Sequence, residues 1–228
     1  MKTLYSAVGR FERRNGESGL HPVILVKGQE HMVGISEMMI WTCLNWRILD
    51  LAKLKEHYSR LAHGSGLQDC SDFERCVKRL LQRGLIVSGM GDNDADALYD
   101  LMNSLYIIPV ISGILVKTIA FFKFLLIQKV PFSKAKAVFR TESLTGEEKQ
   151  IVKLTRQAQL STAELIKCIE YGIYDLSNDG KIMAALYDDD DTTCDNIGSY
   201  VRGFSKQRSV IETVANLYLR KLIIFERI

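Results

Sequence analysis

The first strong pattern along the chain is the apolar run Val23-Ile24-Leu25-Val26, followed by the polar Lys27-Gly28-Gln29-Glu30 and then His31-Met32-Val33, which predicts a hairpin over residues 22–34. Beyond it the apolar spacing changes to steps of three and four. Met39, Ile40, Cys43, Leu44 and Ile48 predict an amphipathic helix with Ser36 as N-cap and Glu37 in its first turn. Leu51, Leu54, Tyr58 and Leu61 predict a second helix, broken by Gly64-Ser65-Gly66. A third helix starts at Ser71 and ends at Gly84, with Phe73, Val77, Leu80 and Leu81 on one side and Arg75, Lys78, Arg79 and Gln82 away from it. Leu85-Ile86-Val87 supplies a short strand, and residues 95–103 one more amphipathic helix.

The C-terminal part of the chain repeats this code. Adding 137 to Phe73, Val77, Leu80, Leu81, Leu85 and Ile86 gives Val210, Val214, Leu217, Tyr218, Leu222 and Ile223, and Arg83 meets Arg220. Leu49, Leu54 and Tyr58 match Leu160, Leu165 and Ile169 at an offset of 111, with Asp50 and Ser161 as matching N-caps. The two offsets differ by 26, so the second copy carries an insertion near 172–202, which includes the acidic run Asp188 to Asp191. Its first helix opens on Thr145-Gly146-Glu147-Glu148, a capping-box pattern.

Hairpin, three helices and strand is the order of a winged-helix unit. The expected fold is therefore mainly α with short β-strands: a winged-helix-like unit over 1–94, a hydrophobic helical connector over 95–143 and a second winged-helix-like unit over 144–228. The first unit's closing strand has no following wing strand, so its expected partner is the N-terminal hairpin. Within the connector, Leu105 to Val130 is strongly apolar, yet the charge-free stretch Ser104 to Val116, part of a run of 16 residues from Leu101, contains Pro109 and Gly113. That is too short and too interrupted to span a membrane. A buried inter-unit or dimerisation helix is expected there, and with it a homodimer.

Composition narrows the functional classes. With 47 % apolar residues in 228, the chain has material for ordinary cores and is not disordered. The cysteines, Cys43, Cys70, Cys76, Cys168 and Cys194, are odd in number and lack metal-ligand spacing, and residues 1–14 lack the features of an export signal, so a cytoplasmic protein with reduced thiols is expected. No Gly-rich phosphate loop, nucleophile elbow, HExxH or paired metal ligands occur, so neither an enzyme nor a bound cofactor or metal is expected. The Asp188 to Asp191 run lacks the Gly and Glu of a calcium loop and reads as a solvated insertion. His21, His31, His57 and His63 read as surface or core-edge residues, and of Trp41 and Trp46, Trp41 is the core residue.

The pattern resembles tandem winged helix-turn-helix transcriptional regulators, whose third helices enter the major groove. That resemblance implies sequence-specific binding of double-stranded DNA through Arg75, Lys78, Arg79, Gln82 and Arg83 of the first unit. In the second unit it implies Arg202, Lys206, Arg208, Thr213, Asn216 and Arg220. Net charge is only +3, so contact would rest on these local surfaces. Residues 22–88, with their hairpin, Ile40-Trp41, Leu54, Tyr58 and Leu81-Gln82-Arg83-Gly84-Leu85-Ile86, also resemble peptide-chaperone and leader-peptide recognition domains. This second resemblance implies a peptide- or protein-binding adaptor that adds a peptide strand beside the third helix.

Overall fold

A computed structural model of the chain describes residues 1–16, 19–65, 72–110, 143–188 and 191–227. About half is helical, with short strands in three small antiparallel sheets. In the first sheet β1 (Lys2–Ala7) is the middle strand, between β5 (Leu49–Asp50) and β6 (Ile86–Gly91). Helices α1 (Ile35–Leu44), α2 (Leu51–Gly64) and α3 (Phe73–Gln82) pack with it around Ile40, Trp41, Leu44, Leu54, Leu80 and Ile86. The chain between β1 and α1 forms a separate meander of β2 (Arg10–Gly16), β3 (Gly19–Val26) and β4 (Gln29–Met32). The predicted hairpin is its second half. It closes on Lys27 and Gly28, with φ of 53° and 73°, the positive angles that a two-residue turn between twisted strands requires.

Two local expectations shift. α1 begins at Ile35 with Gly34 as N-cap, not Ser36, because the Glu37 carboxylate reaches back to accept from the Gly34 N–H at 3.0 Å. β6 pairs with β1 and not with the hairpin, since the N-terminal residues themselves supply the strand that the sheet lacks. α4 (Asp94–Met102) then lies directly on the sheet. A Cβ on Gly89 would sit 2.1 Å from the Leu101 nitrogen, so only glycine admits this approach.

The second half has the same plan. β7 (Tyr106–Pro109) is the middle strand between β8 (Leu160–Ser161) and β9 (Ile223–Glu226), with α5 (Gly146–Gln157), α6 (Thr162–Glu170) and α9 (Gln207–Leu219) against it. The insertion folds as α7 (Asp179–Leu186), α8 (Ile197–Tyr200) and a 3-10 turn, Val201–Gly203. The registers superpose: Tyr5 faces Leu49 and Ser88, and Ile107 faces Leu160 and Phe225. Offsets of 111 and 137 thus hold in the backbone pairing, joined by 102 for the middle strands. The predicted caps hold as well. Asp50, Thr145 and Ser161 each accept from the N–H three residues on.

The stretch from Leu105 to Val130 is therefore not helical at its start, since Tyr106–Pro109 is the core strand of the second sheet. β-branched Ile107 and Ile108 suit a strand, and Pro109, which has no N–H, is tolerated as its last residue. Its remainder, from 111 on, lies outside the described residues. Among the described residues no helix is long and apolar enough to cross a membrane.

The two halves meet at a junction built on Tyr218 and Trp46. Tyr218 of α9 stacks on Phe225 and accepts from the Trp46 N–H at 3.0 Å, with its hydroxyl also 3.3 Å from the Leu44 carbonyl and 3.4 Å from that of Ala7. Trp46 donates from Nε1 to the Ile223 carbonyl, and the Gly9 N–H to that of Phe225. The outer edge of β9 is thus covered by the first half. Trp41 is buried as expected, and Trp46 is the tryptophan at an interface.

Candidate functional site

α3 packs by its apolar face: Phe73, Val77 and Leu80 are buried, while Arg75, Lys78, Arg79, Gln82 and Arg83 are exposed. Arg75, Lys78, Arg79 and Gln82 follow the one-face spacing of i, i+3, i+4 and i+7. Not all of this charge is at liberty. Arg75 pairs with Asp72 at 3.3 Å, and the Glu37 carboxylate, only 5 % exposed, takes Arg79 Nε at 2.9 Å and Arg83 Nη1 at 3.4 Å.

Arg83 does more than close an ion pair. Its Nη2 donates to the Met32 carbonyl at 2.6 Å, so the end of α3 is tied to β4. β4 is an edge: among the described residues no strand pairs with its outer side. The register places Met32 opposite Val23, two residues from the Glu30–Leu25 pair, and alternate residues of an edge strand direct their backbone groups outward. That Met32 does so is shown by its bond to Arg83. Met32 and Ile35 are each 68 % exposed beside it. The surface from β4 to α3 therefore offers a strand edge without a strand partner, two apolar side chains and a basic wall.

The second half differs at the equivalent places. Residues 137 further on from Arg75, Lys78, Arg79 and Gln82 are Glu212, Ala215, Asn216 and Leu219, so the basic row is absent. Arg208 pairs with Glu212 at 2.8 Å, and Thr213 and Ser209 donate their hydroxyls to Glu147. Arg220 binds Glu148 at 2.6 Å and Arg202 sits 5.7 Å from the centre of the Tyr99 ring. Among the described residues the side chains of Lys78, Gln82 and Asn216 have no polar partner, while the Lys206 ammonium is drawn to the Glu170 carboxylate. α4 flanks α9, and the groove between them, about 200 Å³, is lined by Asp94, Asp96, Tyr99, Arg208 and Glu212 among others. The structure thus sets the first-unit candidates on one open face and scatters the second-unit ones among carboxylates.

Arg83–Glu37 and Arg220–Glu148 are one device built twice. In each half the arginine that caps the third helix grips the glutamate that closes the first helix's capping box. The sequence held this signal, because Glu37 to Glu148 is 111 and Arg83 to Arg220 is 137, the same offsets as the apolar code. The open β4 edge left no such mark.

The three buried thiols are not activated. Burial raises the Cys43 and Cys76 pKa values and pushes that of Cys168 up to about 12, the reverse of a reactive thiolate. Among the described residues no group of His, Cys, Asp and Glu is arranged to hold a metal ion. No family model matches the chain, nor does any curated protein or any solved structure.

Proposed function

We propose that the two halves are winged-helix-like units, and that the chain is a non-catalytic adaptor that takes an extended peptide or protein segment at the open edge of β4, beside α3. The observation that carries this reading is the unpaired outer side of β4, with Met32 and Ile35 exposed along it and Arg83 reaching its backbone. An added strand would gain main-chain hydrogen bonds from β4, while Met32 and Ile35 select apolar residues and Arg79 and Arg83 select acidic ones. The partner class is therefore an acidic peptide with alternating apolar residues.

The test is a panel of labelled ten-residue peptides that alternate Val with Glu or with Lys. The Glu series binds, and Met32→Pro, which removes an outward N–H, weakens it about ten-fold through loss of main-chain hydrogen bonds. A panel in which neither series binds, or in which Met32→Pro changes nothing, overturns the reading.

A second reading, double-stranded DNA contact by a transcriptional regulator, is favoured by one observation. The row Arg75, Lys78, Arg79 and Gln82 is exposed, and the second unit folds without it, so the fold does not require those charges. If DNA is the target, affinity falls steeply with salt and Lys78→Ala lowers the slope by about one. The uneven charge of the two third helices restricts such contact to α3.

A further inference from the structure

The insertion that distinguishes the second half builds a surface with no counterpart in the first. Tyr171 caps the end of α6, and the insertion folds back so that Tyr200, at the end of α8, and Phe204, just after the 3-10 turn, come against it. The Phe204 ring stands edge-on to both tyrosines, 5.7 Å from Tyr171 at 87° and 5.3 Å from Tyr200 at 72°. Tyr174 packs over Gly172 beside them. These are not core residues: Tyr171 and Tyr174 are 58 % exposed and Tyr200 is 46 % exposed. A contiguous exposed aromatic group of this kind marks a contact surface.

A carboxylate borders the rings. Glu170 lies next to Tyr171, and its carboxylate accepts from the Ser205 hydroxyl at 3.0 Å and the Lys206 N–H at 2.8 Å. Both donors are neutral groups, and among the described residues no cation lies within ion-pair distance of it. The Lys206 N–H, foremost, keeps the carboxyl below its ordinary range, so the anion persists. Asp175 and Asp188 stand on adjoining segments and pair with Lys181 and the buried Lys167, and the Lys206 ammonium adds a lesser attraction to Glu170. Lys167 also shows what the rings accept. Its ammonium sits 5.3 Å from the centre of the Tyr200 ring.

We infer that this corner is a docking site for an arginine-bearing segment of a protein partner, with the guanidinium seated against Tyr171 and Tyr200 and paired with Glu170. Perpendicular aromatic walls with an adjacent carboxylate recognise an organic cation through ring faces and charge together. A guanidinium is planar, weakly hydrated and stacks on such faces better than an ammonium. The inference is independent of the β4 reading, which calls for an acidic partner.

The experiment titrates the full chain with a fluorescein-labelled peptide of alternating Gly and Arg, and with the same peptide carrying neutral, isosteric citrulline. The arginine peptide binds and the citrulline peptide is at least about ten-fold weaker. Tyr171→Ser and Tyr200→Ser, which leave net charge unchanged, each weaken the arginine peptide at least about five-fold, as loss of a cation–ring contact requires. Equal binding of the two peptides, or tyrosine variants that bind like the parent, overturns the proposal and leaves only bulk attraction to acidic residues. Should a serine variant fold poorly by circular dichroism, amide shifts of the parent chain decide. Perturbations centred on Gly172, Tyr200 and Phe204 support the site, and perturbations elsewhere sink it.

Discussion

Gly84 and Lys221 hold the same place in the two halves, the first residue past the C-cap of the third helix, with φ of 67° and 62°. Each lets the chain reverse so that the next residue bonds back into the helix: Leu85 N–H to Leu80 and Leu222 N–H to Leu217. At Gly84 an added Cβ would meet nothing closer than an Arg227 side-chain atom at 3.7 Å. Gly84→Ala is therefore expected to cost about 1 kcal/mol from backbone strain alone, seen as a lower urea midpoint with an unchanged slope. Lys221→Gly should come out close to neutral in the same assay. It relieves the strain of a non-glycine residue there but loses the ammonium held 5.4 Å from the Trp46 ring centre, terms of about 1 kcal/mol each and opposite in sign. A large stabilisation by Lys221→Gly would show that the Trp46 contact contributes nothing.

At the level of elements, the helices shared by the two halves, and three of their caps, were legible in the sequence because their signals are local, whereas the α1 cap and the insertion helices were not. Asp50, Thr145 and Ser161 each announce a helix within three residues, and the spacing of Phe73, Val77 and Leu80 gives its buried face. The middle strands were not legible. β1 and β7 find both partners far away in the chain, so no turn or neighbouring run marks them, and Tyr106–Pro109 merges with the apolar stretch that follows. The same limit hid the β4 edge, since nothing in Gln29–Met32 tells an open edge from a covered one. The arginine–glutamate clasp joins residues 46 and 72 apart and is legible only when the two halves are compared. Removing its acid should hurt more than removing the pair. Glu148→Gln removes the carboxylate that Arg220, one-third exposed, grips at 2.6 Å and is expected to cost about 1–2 kcal/mol; the double change Glu148→Gln with Arg220→Met should recover part of that. Additive costs in the double-mutant cycle would mean that the two side chains do not act together.

For the whole molecule, the Tyr218 hydroxyl is one of the groups that join the halves. It lies at the junction between Trp46, Leu44 and Ala7, and burial pushes its pKa up to about 12. In the unfolded chain a tyrosine titrates near about 10. The folded state thus holds the proton more tightly, and the stabilisation it brings is complete below about pH 10 and is lost as pH rises through about 12, by roughly 2–3 kcal/mol in full. Phenylalanine at this position has no proton to lose. Tyr218→Phe leaves the Trp46 N–H without its acceptor and should be less stable than the parent at pH 7 by about 1–2 kcal/mol. Cys168, also pushed up to about 12, contributes to the alkaline loss equally in both proteins and so cancels in their difference. Unfolding followed by tryptophan fluorescence, which reads Trp46 at the junction, should therefore show the gap between parent and variant closing from pH 10 to 12. If the two proteins lose stability in parallel over that range, the Tyr218 phenol does not bind the halves together in the way its position indicates.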